Sequence, residues 1–200
     1  LLIQRPGMGD ALMEIDSNGN EGDTPRTRLR VANFVGLQPQ VSANNESNDQ
    51  AAMLFRGNSD ITLVNGVIAT PNNECIRLHG TSSTPVTFAA HSVVMQCNAA
   101  KFIGSGSFDA AAVASQFNAG TNNNDAFTAT LTSLFVNGSN EDAVVAFDAS
   151  RLSSFFEVPS PNRIGAAWSG NNAWYTGWTC NSSYANFGST STACTSLPTT

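Results

Sequence analysis

The sequence predicts an all-β protein, a parallel β-helix whose strands stack as the rungs of a solenoid, with one short inserted helix and an aromatic, disulfide-closed C-terminal cap. Three observations predict it. Residues 61–68 (ITLVNGVI) can be laid over residues 86–94 (VTFAAHSVV), each a β-branched run, a small or polar break and a second apolar pair. A shorter type recurs at residues 51–57, 74–80 and 98–104, an apolar stretch that carries basic residues and ends in glycine. Only turn residues separate these strands, and a repeat of about two dozen residues without a helix is the pattern of a stacked coil.

Taken in order, residues 1–27 are irregular, with an acidic, glycine-rich run at 14–23 and a Thr-Pro turn at Thr24 and Pro25. The longer strand type is expected at 29–36, 61–69 and 86–95, stacked in one parallel sheet. The shorter type is expected at 51–56, 75–79 and 98–103 in another. Asn33 and Asn65 take equivalent places, with His91 one place later; such polar residues suit corners where they hydrogen-bond to neighbouring rungs. His79, beside Gly80, reads as a loop residue. Residues 108–117 (FDAAAVASQF) form the helix candidate, capped by Ser107 and favoured by its alanines. Further strands are expected at 127–136 and 143–148, with a turn at Asn137-Gly138 between them. Residues 152–158 are apolar enough to cover an end. Residues 164–168 and 174–180 close the fold.

Composition narrows the function. Only 12% of the 200 residues are charged, the net charge is −6, and Lys101 is the sole lysine. That disfavours nucleic acid and anionic membrane surfaces, which need clustered cations. No run approaches the length of a transmembrane segment. The chain opens Leu-Leu-Ile-Gln-Arg with neither signal peptide nor initiator methionine. It reads as a mature or trimmed C-terminal part of something longer, with first rungs expected upstream. The domain reading is a coil over 1–178 and a Ser/Thr-rich tail over 179–200.

Four cysteines without a Cys-x-x-Cys spacing argue for disulfides and against zinc. Three pairings are possible. Cys75–Cys97 is preferred because the two fall one repeat apart, and Cys180–Cys194 because it closes a tail that could not hold itself by burial. An oxidising location follows: extracellular, cell surface or periplasm. Glu14, Asp16, Asn18, Asn20, Glu21 and Asp23 alternate oxygen side chains around Gly19, an arrangement from which a Ca2+ loop is expected, although the pattern lacks the EF-hand glycine and distant glutamate. Trp168, Trp174 and Trp178 crowd into eleven residues. They read either as a cap over the last rung or as a platform that stacks on carbohydrate. Three Asn-x-Ser triplets, at Asn45, Asn137 and Asn181, are what chance gives in so asparagine- and serine-rich a chain.

Asp23-Thr24-Pro25-Arg26-Thr27-Arg28, Leu54-Phe55-Arg56-Gly57, and Ile164-Gly165-Ala166 with Trp174 and Gly177-Trp178-Thr179 resemble bacterial surface or secreted proteins, lipoprotein-like, of the right-handed parallel β-helix class. The likeness covers most of residues 9–180 by pattern, and the closing Ile-Gly-Ala…Trp…Gly-Trp-Thr element carries most of it. The resemblance implies fold and location and no activity. A non-catalytic protein serving assembly, with filaments among the forms, or ligand binding is therefore expected. The alternative is a calcium-dependent polysaccharide lyase or hydrolase, since pectate-lyase-like enzymes share that fold class. Against it, strand-face acids are few (Asp148 and Glu74), and the candidate bases Arg56 and Arg77 fall on equivalent strands, as register would place them. The N-terminal face starts with apolar Leu1-Leu2-Ile3 and lacks a cap like the C-terminal one, so self-association or a surface partner is expected there.

Overall fold

The chain passes alternately between two parallel sheets. The computed structural model describes residues 1–4, 10–41, 50–81, 83–159, 161–170 and 174–196. Strands β1 (Leu2–Ile3), β3 (Arg28–Leu37), β5 (Asp60–Thr70) and β7 (Thr87–Cys97) form one sheet in that order. Strands β2 (Met13–Ile15), β4 (Met53–Arg56), β6 (Ile76–Gly80) and β8 (Phe102–Gly106) form the other. The expected division of long and short strands between two parallel sheets therefore holds.

The expected fold class does not. The arrangement is α/β-like: two four-stranded parallel sheets with a helix, α1 (Ala110–Asn118), packed against the last strands of both. No all-β solenoid or right-handed β-helix runs over 1–178, because among the described residues no further strand forms after Gly106. The physical reason lies at α1. Asp109, rather than Ser107, caps the helix by accepting from the Ala112 amide. Its buried Val113 and Phe117 then fill the end of the core that another strand would have continued.

The register also differs from the sequence overlay. Ile61 lies opposite Phe88, and Asn65 lies opposite Asn33 and, by the flanking pairs, Ser92. Asn33, Asn65 and Ser92 all adopt left-handed backbone, with φ of 53, 57 and 53°. One such residue inside a strand breaks the alternation of side chains between faces. Before it, Leu29, Ile61, Leu63, Phe88 and Ala90 point into the core between the sheets; after it, Phe34, Ile68, Val93 and Met95 do. The switch sends Val35, Leu37, Val67 and Val94 to the opposite face, where they build a second core. Gly66 is needed beside this kink, because a Cβ there would lie 2.1 Å from the ring of Phe34.

The second core explains the rest of the chain. Phe135, Ile164, Ala166 and Ala167 are buried on Val35, Val67 and Val94, so the C-terminal half lies across the outer face of the long-strand sheet. The left-handed residues hold it there. Asn65 accepts from the Phe147 amide at 2.7 Å and donates to the Phe147 carbonyl at 3.0 Å and to Asn33 Oδ1 at 3.3 Å. Asn33 donates to the Arg163 carbonyl, and the Ser92 hydroxyl to that of Val145. The expected strands at 127–136 and 143–148 are absent. Thr132 and Val136 make one isolated bridge, and the 139–142 stretch is a short helix, α2 (Ser139–Asp142). Buried Glu141 of α2 accepts from the Thr130 amide and hydroxyl and from the Gly138 amide, which diverts those groups from any sheet.

Both preferred disulfides are formed, Cys75–Cys97 and Cys180–Cys194. The first ties the residue before β6 to the last residue of β7. The second closes a tail whose Phe187 packs at 5.3 Å from Phe135. No helix among the described residues is long and apolar enough to cross a membrane.

Candidate functional site

The acidic run does not assemble the calcium loop expected of it. Asp16 Oδ1 accepts from the amides of Ser17 and Asn18 at 2.7 and 3.0 Å, and Glu21 Oε1 accepts from Gly19 at 3.1 Å. Glu14 pairs with Arg56, and Asp16 Oδ2 stands 3.4 Å from Arg56 Nε. Asn20 donates to the Asn18 carbonyl, and the Asp23 amide closes the turn onto Asn20. The acids answer turn amides and one guanidinium, and among the described residues no group of three or more histidines, cysteines, aspartates or glutamates could hold a metal ion. Nothing in this arrangement adds support to the calcium reading.

The residues weighed for polysaccharide cleavage do not converge. Arg56 lies opposite His79 and Arg77 opposite Leu54, two places out of step with each other. His79 is a β6 strand residue rather than a loop residue. Asp148 caps a helical turn by accepting from Ser150, while Glu74 accepts from Asn98. His91 has the structural part expected of it, although in register with Val64 rather than at the kink. Its Nδ1 accepts from the Thr121 amide at 3.1 Å, and its ring stacks on Phe147 at 4.5 Å. Burial, aided by the charge of Arg151, lowers its pKa below the usual histidine value.

The tryptophans do not cap the sheets. Trp178 is 88% exposed, and Trp174 is half-exposed with Nε1 donating to the Ala166 carbonyl at 2.8 Å. Trp168 lines a surface cleft beside Asn33 and Phe156. Phe117 of α1, buried in the core between the sheets, does the covering instead. Residues 152–158 do not cover an end either, since Phe155 and Val158 are exposed. Of the Asn-x-Ser triplets, Asn137 and Asn181 spend their amide nitrogens on backbone carbonyls, of Ile164 and of Gly188 and Ser191 respectively; Asn45 lies outside the described residues.

The two outer edges of the sheets differ. At the β7 edge, Ser92 donates to Thr121, Met95 to Asn124, Phe88 to Gln116 Oε1 and Val93 to Asn123 Oδ1. Gly120 brings this loop onto the strand, and a Cβ there would lie 1.6 Å from the Ala90 carbonyl oxygen. At the other edge, β1 pairs with β3 only at Gly36 and Leu37. Residues 28–35 have no strand beside them on that side among the described residues. Beside β1, the outer strand of this sheet, Leu1, Leu2, Ile3, Gln4, Ala11 and Leu12 line a cleft of about 370 Å³. The apolar β1 end of this edge is the candidate functional surface.

No family model matches the chain, and neither a curated protein nor a solved structure matches it. The resemblance to bacterial surface proteins thus gains no matched relative. What stands without one is the pair of disulfides, which belong to an oxidising, non-cytoplasmic compartment.

Proposed function

We propose that this is a non-catalytic extracellular or cell-surface protein that works by assembly, and that its partner is a second copy of itself. The observation that carries this reading is the unequal pair of sheet edges. A strand edge without a neighbour offers amides and carbonyls to another strand, and apolar side chains flanking it add burial to the hydrogen bonds. The opposite edge is already taken by residues 119–129, so head-to-tail stacking has no acceptor. That leaves pairing of like edges across a two-fold axis, which closes a dimer and does not propagate as a filament. Leu2, Ile3 and Leu12 lie at the β1 end of this edge, and among the described residues no charged side chain lines the cleft between them, which favours contact with an equally apolar surface.

Light scattering on the 200-residue chain tests the reading. A dimer at tens of micromolar is expected, and a charge placed at the edge by Leu2→Lys or Leu12→Lys should return it to monomer with an unchanged circular dichroism spectrum. A parent chain that stays monomeric at that concentration would rule out self-assembly through this edge.

A further inference from the structure

At the other end of that edge from β1, a groove runs beside the start of β3. Arg28, Leu29, Arg30, Leu152, Phe155 and Phe156 line a cleft of about 570 Å³. A second cleft of about 320 Å³ shares Phe156 and continues past Asn33 to Val158 and Trp168. Together they suit an extended ligand of ring-sized units.

The charge at one end is organised. Arg28 Nε and Arg30 Nη2 both donate to Asp60 Oδ2, at 3.0 and 2.9 Å. Asp60 Oδ1 accepts from the Thr87 hydroxyl at 3.0 Å. Burial raises the Asp60 pKa, but the bonds from Arg30 and Thr87 and the charges of Arg30 and Arg28 outweigh it and hold the carboxyl below its ordinary value. Asp60 is thus ionised and fully engaged, one negative charge facing two positive ones. Arg30 is further anchored to the carbonyls of Leu29 and Asp60. The Arg28 side chain is 66% exposed and, among the described residues, held through Nε, so its two terminal amino groups form a fork already aimed by Asp60. Such a fork matches a planar carboxylate.

The remainder of the groove offers ring faces. Phe155 is 86% exposed and meets Phe156 edge-on at 5.3 Å, which leaves a ring face open to the groove. Beyond it come Phe156 and Trp168, and the second cleft carries the acidic Glu157. Cationic beside β3, aromatic at Phe155, Phe156 and Trp168, and carrying one acidic side chain in its second cleft, the groove favours one carboxylate followed by a neutral unit. An acidic peptide, with charge on successive side chains, would meet Glu157.

We propose that this groove binds an acidic polysaccharide in which uronate units alternate with neutral ones, a uronate carboxylate lying on Arg28 and its ring on Phe155. Isothermal titration with a tetrasaccharide alternating glucuronate and N-acetylglucosamine tests this. Binding that weakens with added salt is expected, reduced roughly 10-fold or more by Arg28→Ala. Phe155→Ala, at an exposed position, should reduce it several-fold, roughly as loss of one stacking contact does. Phe155→Ala, which leaves β3 itself intact, should not change the mass seen by light scattering, and that separates this site from the assembly edge. The proposal is overturned if the tetrasaccharide shows no binding at millimolar concentration, if a neutral tetrasaccharide or a homopolymer of uronate binds as well, or if an acidic peptide binds and the saccharide does not.

Discussion

The two edges of the same pair of sheets are finished in different ways. At β7, loop 119–129 and helix α1 answer the strand with backbone and side-chain hydrogen bonds, and Phe117 closes the core between the sheets. At β3, residues 28–35 meet no strand on their outer side among the described residues, and Leu29 and Val31 are only partly buried. The strand patterns at the two edges are alike, so edge behaviour here is set by what the chain does next and not by the strand itself. A closed edge gives stability to one molecule; an open one gives a surface to share.

Breaking the closed end should have the largest effect. Phe117 is fully buried and its ring lies 5.5 Å from that of Phe102. Phe117→Ala should cost about 4 kcal/mol and lower the melting temperature by about 10 °C. A shift of a degree or two would show that α1 is not what closes the core. Next comes the join between the sheet and the C-terminal half. Asn65→Ala removes three side-chain hydrogen bonds and leaves alanine in left-handed backbone, for an expected loss of about 3 kcal/mol in urea unfolding. An unchanged midpoint would mean that the apolar contacts alone hold residues 145–165 in place.

Hydrogen exchange sharpens the comparison without altering a residue. Amides of 88–95, covered on both sides, should exchange about 10-fold more slowly than those of 28–35 under conditions that keep the chain monomeric. Equal protection would show the open edge to be covered by some other part of the chain. The smallest effect is expected at His91. Its folded pKa is depressed, so folding favours the neutral ring. Its contribution to stability is full above the unfolded value of about 6.5 and is lost as pH falls through that value toward the folded one. A small decline in stability between about pH 7.5 and 5.5 is expected, screened by solvent around this partly exposed ring, and His91→Gln should flatten it. A parent chain that becomes more stable over that fall would reverse the sign.

Much of the sheet was legible because β-branched runs of two lengths recur with turn residues between them, and parallel strands buried on a common core leave such runs. The cysteines were legible for a related reason: a repeat brings residues one period apart into contact. Register was not. Overlaying similar letters put Ile61 opposite Val86, whereas the structure pairs it with Phe88, since the left-handed positions at Asn33, Asn65 and Ser92 align the strands and a serine there does not look like an asparagine. The edge at Leu1-Leu2-Ile3 could be suspected from its apolar letters, while the Arg28, Asp60 and Phe155 groove joins residues distant in sequence and left no local signal.

By itself, then, the sequence placed the six strands between Arg28 and Gly106, divided them between two sheets and favoured the cysteine pairing that forms, because strand propensity and spacing are local properties. Only the tertiary structure decided the fold class and the use of the second half of the chain. Residues 127–148 have strand-like letters, but Glu141 and Asn65 claim their polar groups and Val35, Val67 and Val94 claim their apolar ones. Competition between a local preference and partners far along the chain is settled by burial, and burial exists only once the whole chain has packed.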